Sequence, residues 1–274
     1  MELRGATVVV TGGGAGIGEA LARRFATDGA RVVVNDLDAA AAARVAGVIG
    51  GLAVASDAAS EDGIATLLAR AQERYGDIDL YCANAGVARS GGPDAPEDAW
   101  ALSWEVNVMA HVRAARALLP GWLARGRGHF LATVSAAGLL SHVTAAPYTV
   151  TKHGALAFAE WLSVAYGDRG VTVQALCPQG VRTNMLMGED SAGRNLLLPD
   201  AIEPAAVADL VAEALHDGDF LILPHPEVAR YTVNRAADRD RWLSGMRRIH
   251  KAATSGSEES TDSADGPSTS QAAP

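Results

Sequence analysis

Apolar positions along this chain follow two alternating rhythms. Short runs rich in Val, Leu and Ala occur at residues 7–10, 31–35, 52–55, 80–83, 129–134, 171–176 and 220–223. The cores of these runs, such as Val32-Val33-Val34, are apolar on both sides of an extended chain, which fits strands buried on two faces. Between them, residues 17–27, 63–75, 100–123 and 148–166 repeat their apolar positions every three or four residues, as helices with one buried face do. Strands alternating with helices imply βαβ crossovers and a parallel sheet covered on both sides. The expected fold is α/β, a single-domain doubly wound sandwich of about seven strands.

The pattern changes after Leu223. Pro224-His225-Pro226 ends the last strand, and residues 227–249 read as one charged, Arg-rich helix. Residues 251–274 are Ser, Thr, Ala, Gly, Pro and acid with no large aliphatic or aromatic anchor, a composition expected to be disordered. The expected organisation is a main domain over 1–224, a helical extension over 225–250 and an acidic Ser/Thr-rich tail over 251–274.

Composition narrows the class. A formal charge of −9 argues against general nucleic-acid affinity. The longest apolar runs fall short of the roughly 18–20 residues that span a bilayer, and no signal-peptide core precedes the first strand. A cytoplasmic protein without membrane attachment is expected. Cys82 and Cys177 sit in strand-like apolar runs and read as buried free thiols rather than a disulfide framework. No His/Cys/Asp cluster has metal-ligand spacing, so no metal is expected. The chain has only two lysines, Lys152 and Lys251, among 23 basic residues. Where charge alone matters arginine serves, so Lys152 marks a place that needs a compact ammonium.

The first strand runs into Thr11-Gly12-Gly13-Gly14-Ala15-Gly16-Ile17-Gly18, where a helix begins. Glycines let backbone amides approach a pyrophosphate, and the helix N-terminus supplies aligned N–H donors. The frame is T-G-x-x-x-G-x-G, with Gly12, Gly16 and Gly18 fixed and Gly14 and Ile17 also within reach of a dinucleotide. The second strand ends at Asn35-Asp36. A carboxylate there can accept both hydroxyls of an adenine ribose and would repel a 2′-phosphate. With no Lys or Arg immediately after Asp36 or within Gly12–Gly18, NAD(H) is expected over NADP(H).

That glycine segment, together with Asn84-Ala85-Gly86 and Tyr148-Thr149-Val150-Thr151-Lys152, resembles the short-chain dehydrogenase/reductase family over about residues 4–223. The resemblance implies a Rossmann-type fold and carries several positions over. Asn84, Ala85 and Gly86 would brace the sheet beside the adenosine ribose. Asp57, with Ala58 beside it, would meet the adenine amine. Asn107 would be the catalytic asparagine at a kink of the long helix, its backbone holding a water that links the lysine to solvent, and Ser135 would be the catalytic serine. Pro178, Gly180, Val181 and Thr183 would hold the nicotinamide carboxamide, although Gln179 stands where the family has glycine. The C-terminus departs from that of the family's acyl-carrier-protein ketoreductases.

The chemistry follows from the residues themselves. Free tyrosine, with a pKa of about 10, is too weakly acidic to serve as a base near neutrality. Lys152 lies at i+4 from Tyr148, on the same helix face, and its ammonium stabilises the phenolate. Tyr148 can then take an alcohol proton or return it to a carbonyl, while the Ser135 hydroxyl positions the substrate oxygen. In the family the lysine also bonds the nicotinamide ribose. His142, and less so His153, are candidate substrate contacts. Apolar flanks at 139–147 and 183–199 suit a hydrophobic secondary alcohol or ketone better than a sugar or highly charged molecule. The resemblance also implies a homodimer or homotetramer, and the 227–249 helix is expected at an interface or over the substrate cleft. An NAD-dependent alcohol dehydrogenase is the leading reading. An NADPH-dependent ketoreductase of the same fold and a non-catalytic NAD sensor or scaffold are the alternatives.

Overall fold

The computed structural model describes residues 1–188 and 191–258. Its chain order is β1 (Thr7–Thr11), α1 (Gly16–Thr27), β2 (Arg31–Asp36), α2 (Ala39–Ile49), β3 (Leu52–Ala55), α3 (Glu61–Tyr75), β4 (Leu80–Ala83) and α4 (Glu97–Trp104). A π-helical turn (Glu105–Met109), α5 (Ala110–Arg125), β5 (Gly128–Thr133), α6 (Ala136–Leu139), α7 (Ala146–Tyr166) and β6 (Val171–Leu176) follow. The chain continues through α8 (Asn184–Met187), α9 (Ser191–Leu197), α10 (Pro204–Asp217), β7 (Leu221–Ile222), α11 (Glu227–Ala237) and α12 (Arg239–Glu258).

The seven strands form one sheet in the order β3-β2-β1-β4-β5-β6-β7, every pair parallel. Alternation along each strand feeds two cores. In β1, Val9 packs with α3, α5 and α7 on one face, and Val8 and Val10 pack with α1, α2 and α10 on the other. Local chemistry starts the helices. Asp38 caps α2 by accepting from the Ala40 and Ala41 amides, and Ser60 caps α3 through the Gly63 amide. The winding direction reverses between β1 and β4, which opens a crevice at the carboxyl ends of those strands. Among the described residues no helix is long and apolar enough to cross a membrane.

The doubly wound fold is as expected, with local differences. The single helix expected over 100–123 is α4 and α5 joined through the π turn. The last strand is only Leu221–Ile222, the two residues that find partners on β6. The charged helix expected over 227–249 is two helices. Asp238 is extended between them and caps α12 by accepting from the Arg241 amide at 2.9 Å. The disordered segment was expected from residue 251, yet α12 runs to Glu258. Lys251, Ala252 and Ala253 favour helix, and the Thr254 and Ser255 hydroxyls donate back to the His250 and Lys251 carbonyls. The tail from residue 259 lies outside the described residues, as do 189–190 of the second apolar flank. Both cysteines are free and buried.

Candidate active site

The crevice opens into a cavity of about 1250 Å³. That exceeds the roughly 300–1,000 Å³ of a single-ligand site and leaves room for a dinucleotide and a second molecule. All the candidate residues border it except Gly14, Gly18, Asn107 and His153.

At the glycine-rich end, Thr11 closes β1. Its hydroxyl donates to the Cys82 carbonyl at 3.1 Å and accepts from the Asn84 and Ala85 amides at 3.0 Å each. The Asn84 side-chain amide donates to the Thr11 carbonyl at 3.0 Å, so the turn after β4 is clasped to the end of β1. Gly12 and Gly16 take φ of 61° and 54°, the left-handed region that glycine reaches without strain. At Gly18 a Cβ would sit 2.1 Å from the Gly12 carbonyl oxygen, so only glycine lets α1 start there. The N-cap of α1 is Ala15, with no side-chain cap. Its first-turn amides are therefore left for an outside acceptor, and a diphosphate fits them.

Asp36 stands half-buried at the tip of β2. Its carboxylate accepts from the Gly14 amide at 2.9 Å and the Asp38 amide at 3.0 Å. The cation reaching this turn is Arg44, which donates to the Gly14 carbonyl at 2.7 Å. Glu19 holds that guanidinium through both carboxylate oxygens, at 2.9 and 2.7 Å. Arg44, then Arg23, pull the Glu19 carboxyl down to about 2 against the opposing cost of burial. Farther along, Asp57 turns its carboxylate to the Ala59 amide at 2.9 Å and borders the cavity beside Ala58.

At the other end, Ser135 follows β5 and caps α6, its hydroxyl accepting from the Ala137 amide at 3.0 Å. Tyr148 lies in the first turn of α7 with the His142 ring edge-on, centroids 6.2 Å apart. One turn on, the Lys152 Nζ is 5.6 Å from the centroid of the Tyr148 ring and donates to the Thr133 carbonyl at 3.0 Å. Burial pushes the Lys152 amine down to about 8, against a smaller opposing pull from Cys177. It remains largely an ammonium at neutral pH, without a carboxylate partner among the described residues to neutralise its field. Burial pushes the Cys177 thiol up to about 12, which suits an inert core residue.

Asn107 lies in the π turn, a local widening that often marks functional helices. Its side-chain carbonyl accepts from the Val87 amide at 2.9 Å. Its amide donates to the Val87 carbonyl at 2.9 Å and the Thr151 hydroxyl at 3.0 Å. Asn107 thus fastens the segment after β4 to α7. Gly86 fits between: a Cβ there would lie 3.3 Å from Asn107 Oδ1 and 3.5 Å from Lys152 Nζ.

The model of the short chain dehydrogenases matches residues 6–193. This chain belongs to the short-chain dehydrogenase/reductase family. It is 36% identical over 236 residues to 1-deoxy-11-beta-hydroxypentalenate dehydrogenase of Streptomyces exfoliatus, covering 83% of this chain and 86% of that one. It is 33% identical over 228 residues to cis-1,2-dihydrobenzene-1,2-diol dehydrogenase of Pseudomonas putida, 80% of each. Among solved structures, a short-chain dehydrogenase/reductase from Burkholderia phymatum in complex with NAD superposes with a TM-score of 0.81 at 27% identity. That match covers 88% of this chain and 96% of the other. The protein is an oxidoreductase for a small-molecule alcohol or ketone, and its cofactor is a nicotinamide nucleotide.

This short-chain dehydrogenase/reductase also carries site residues that the sequence pattern did not single out. His225 is buried and its Nδ1 accepts the Gln179 amide at 3.1 Å, pinning the loop that bears Pro178, Gly180 and Val181. The Gln179 residue itself borders the cavity. On α11, Arg235 donates to the Leu139 carbonyl at 2.6 Å and to His153 Nε2 at 3.1 Å. Arginine only donates, so His153 Nε2 is the acceptor and its Nδ1–H points to the Thr149 carbonyl, 2.9 Å away. His153 is thereby an anchor for α11 and not a cavity residue, whereas His142 does border the cavity. Behind it, α12 covers the cavity with Trp242, Met246 and Ile249, apolar at i, i+4 and i+7. Of the two places expected for this helix, an interface or the substrate cleft, the structure puts it over the cleft; the arginines on the neighbouring stripe hid which of its residues face inward. The wall is accordingly less purely apolar than expected: Arg89, Arg241 and Arg248 also border the cavity.

Proposed function

We propose that this enzyme transfers a hydride between NAD(H) and the secondary hydroxyl or ketone of a hydrophobic molecule, with Tyr148 as general acid/base. The observation that carries this reading is the stack at the cavity's inner end: a buried Lys152 ammonium 5.6 Å from the Tyr148 ring, with Ser135 on the same wall. The ammonium field favours the phenolate, so Tyr148 accepts the alcohol proton in oxidation and returns it in reduction. Ser135 donates to the substrate oxygen and fixes it toward Tyr148. The Thr133 carbonyl holds one Lys152 N–H, leaving two to turn toward a ribose hydroxyl. Nicotinamide, when bound, supplies the hydride donor or acceptor. Asp36 takes the ribose hydroxyls at the far end, and Glu19 occupies the Arg44 guanidinium that could otherwise meet a 2′-phosphate. Both features favour NAD(H). The relatives' names, a hydroxypentalenate and a dihydrodiol dehydrogenase, fit oxidation of a hydroxyl on a largely hydrocarbon frame.

We expect the active form to be a homodimer or homotetramer. Trp161 and Val164, 56% and 86% exposed on α7, are the apolar surface that such an assembly would cover.

Turnover of NAD⁺ and NADP⁺ against a panel of hydrophobic secondary alcohols, beside Tyr148→Phe, tests the reading. Oxidation with NAD⁺ that falls at least about a hundredfold in the variant is expected. Equal rates in the two proteins would refute the role of Tyr148, and activity confined to NADP⁺ would refute the cofactor assignment.

A further inference from the structure

We infer that the substrate carries a carboxylate remote from its reacting carbon, received by Arg241 and Arg248 of α12. This rests on reading the site as that of a hydrophobic-alcohol dehydrogenase and adds the second feature by which substrates are selected.

The three arginines on the cavity wall, Arg89, Arg241 and Arg248, have guanidinium groups with no ion pair or hydrogen bond among the described residues. Several arginines elsewhere on the surface are ion-paired, Arg23 and Arg44 by Glu19 and Arg24 by Asp28 and Asp209, while Arg4 and Arg239, which do not border the cavity, are unpaired among the described residues. Two acids border the same end, Asp200 and Asp238. The Asp238 carboxylate is engaged in capping α12, and Asp200 is exposed.

The placement on α12 is specific. Trp242, Met246 and Ile249 make the apolar stripe that roofs the cavity, and Arg241, Gly245 and Arg248 make the stripe beside it. Arg241 and Arg248 are seven residues apart, close to two full turns, so both project from the same side of the helix. Gly245, also on the cavity wall, sits between them without a side chain. A Cβ there would meet only Arg248 Nη2, at 3.8 Å, so the Arg248 guanidinium lies back over this notch. The result is a cationic notch at the edge of an apolar roof, with Tyr148 at the inner end of the same cavity. An alcohol whose hydrocarbon body lies under Trp242 and whose carboxylate reaches this notch satisfies both. A planar guanidinium pair suits a carboxylate through bidentate bonds.

The test compares two acids with their methyl esters, lithocholate and 4-(1-hydroxyethyl)benzoate, in wild type and in Arg241→Gln/Arg248→Gln. With at least one pair, the acid is expected to be favoured roughly tenfold in KM, the scale for a partly exposed charge-assisted pair. The double variant loses that preference while the ester kinetics and the KM for NAD⁺ stay unchanged. Added salt weakens the acid and not the ester. Acid and ester with the same KM in both pairs would overturn the inference, and so would a loss that falls on the KM for NAD⁺. If no probe is oxidised, the hydrophobic-alcohol reading fails separately, and calorimetric binding of each pair to the NADH complex decides the arginine site. Acid-selective binding that disappears in the variant upholds it, and equal binding refutes it.

Discussion

In the proposed NAD(H) reading, Asp36 is the residue on which the choice of cofactor turns, and its replacement by alanine has a calculable effect. In the free protein its two oxygens hold the Gly14 and Asp38 amides, at 2.9 and 3.0 Å. Each carboxylate oxygen has a second lone pair, so ribose hydroxyls can be accepted without breaking these bonds. A hydrogen bond to a charged group contributes about 1.5–3 kcal/mol. Asp36 is only half-buried, so two such bonds together are worth about 2–3 kcal/mol, or roughly a 30- to 150-fold rise in the KM for NAD⁺ when they are lost. The effect on NADP⁺ has the opposite sign. A carboxylate and a phosphate charge about 4 Å apart repel by about 1–4 kcal/mol between water-like and protein-surface dielectrics, and Asp36→Ala removes that repulsion. The ratio of the two KM values should therefore move by at least about a hundredfold. Arg44 stays pinned to Glu19 in the single variant, so a further gain for NADP⁺ is expected when Glu19→Gln is added. Initial-rate kinetics with both cofactors, alongside a melting curve, provide the measurement. An unchanged KM for NAD⁺ in a fully folded Asp36→Ala would refute the assignment of Asp36 to the ribose.

Two other perturbations bear on the catalytic end and the roof. The native Lys152 amine loses its proton near pH 8, while the unfolded chain keeps it to about 10.4. Between those values the unfolded state binds more protons, so the stability of the free enzyme should rise with pH by up to about 3 kcal/mol. Lys152→Met removes that rise; urea unfolding that shows the same pH dependence in both proteins would count against a depressed Lys152. Arg235→Leu deletes the bonds from α11 to the Leu139 carbonyl and His153. It should raise the substrate KM several-fold and lower stability by about 1–2 kcal/mol, with the KM for NAD⁺ unchanged. A substrate KM equal to wild type would show that the roof is held by other contacts.

The sheet was readable because its strands are buried on both faces. Val8, Val9 and Val10 serve two cores, as the short apolar run of a strand covered on both faces must. The glycine frame was readable for a related reason. Gly12 and Gly16 answer to backbone conformation and Gly18 to the Gly12 carbonyl, constraints that arise within a few residues of the chain. Asp36 and Lys152 announced themselves by position at a strand tip and by composition. The resemblance implied a helix kink at Asn107, and a π turn stands there, but the apolar pattern alone does not show it. Its widening leaves the apolar periodicity intact, and what holds Asn107 is the Val87 backbone, twenty residues away.

The C-terminal roof illustrates the deeper limit. Trp242, Met246 and Ile249 repeat at helical spacing, yet the same helix carries Arg239, Arg241, Arg247 and Arg248, so its pattern suits a solvated surface equally well. The use of that helix is decided by where it docks. Docking depends on the break at Asp238, on Arg235 reaching a carbonyl 96 residues earlier, and on His250 Nδ1 meeting the Val143 carbonyl at 2.7 Å. The Asp238 cap is local, but the other two contacts have no local signature, because each pairs an ordinary side chain with a backbone group that any sequence would offer. A cofactor site built on backbone geometry is therefore legible from few residues. A substrate site assembled from distant side chains becomes legible only when the chain is closed, and in this enzyme the cationic notch on α12 belongs to that second kind.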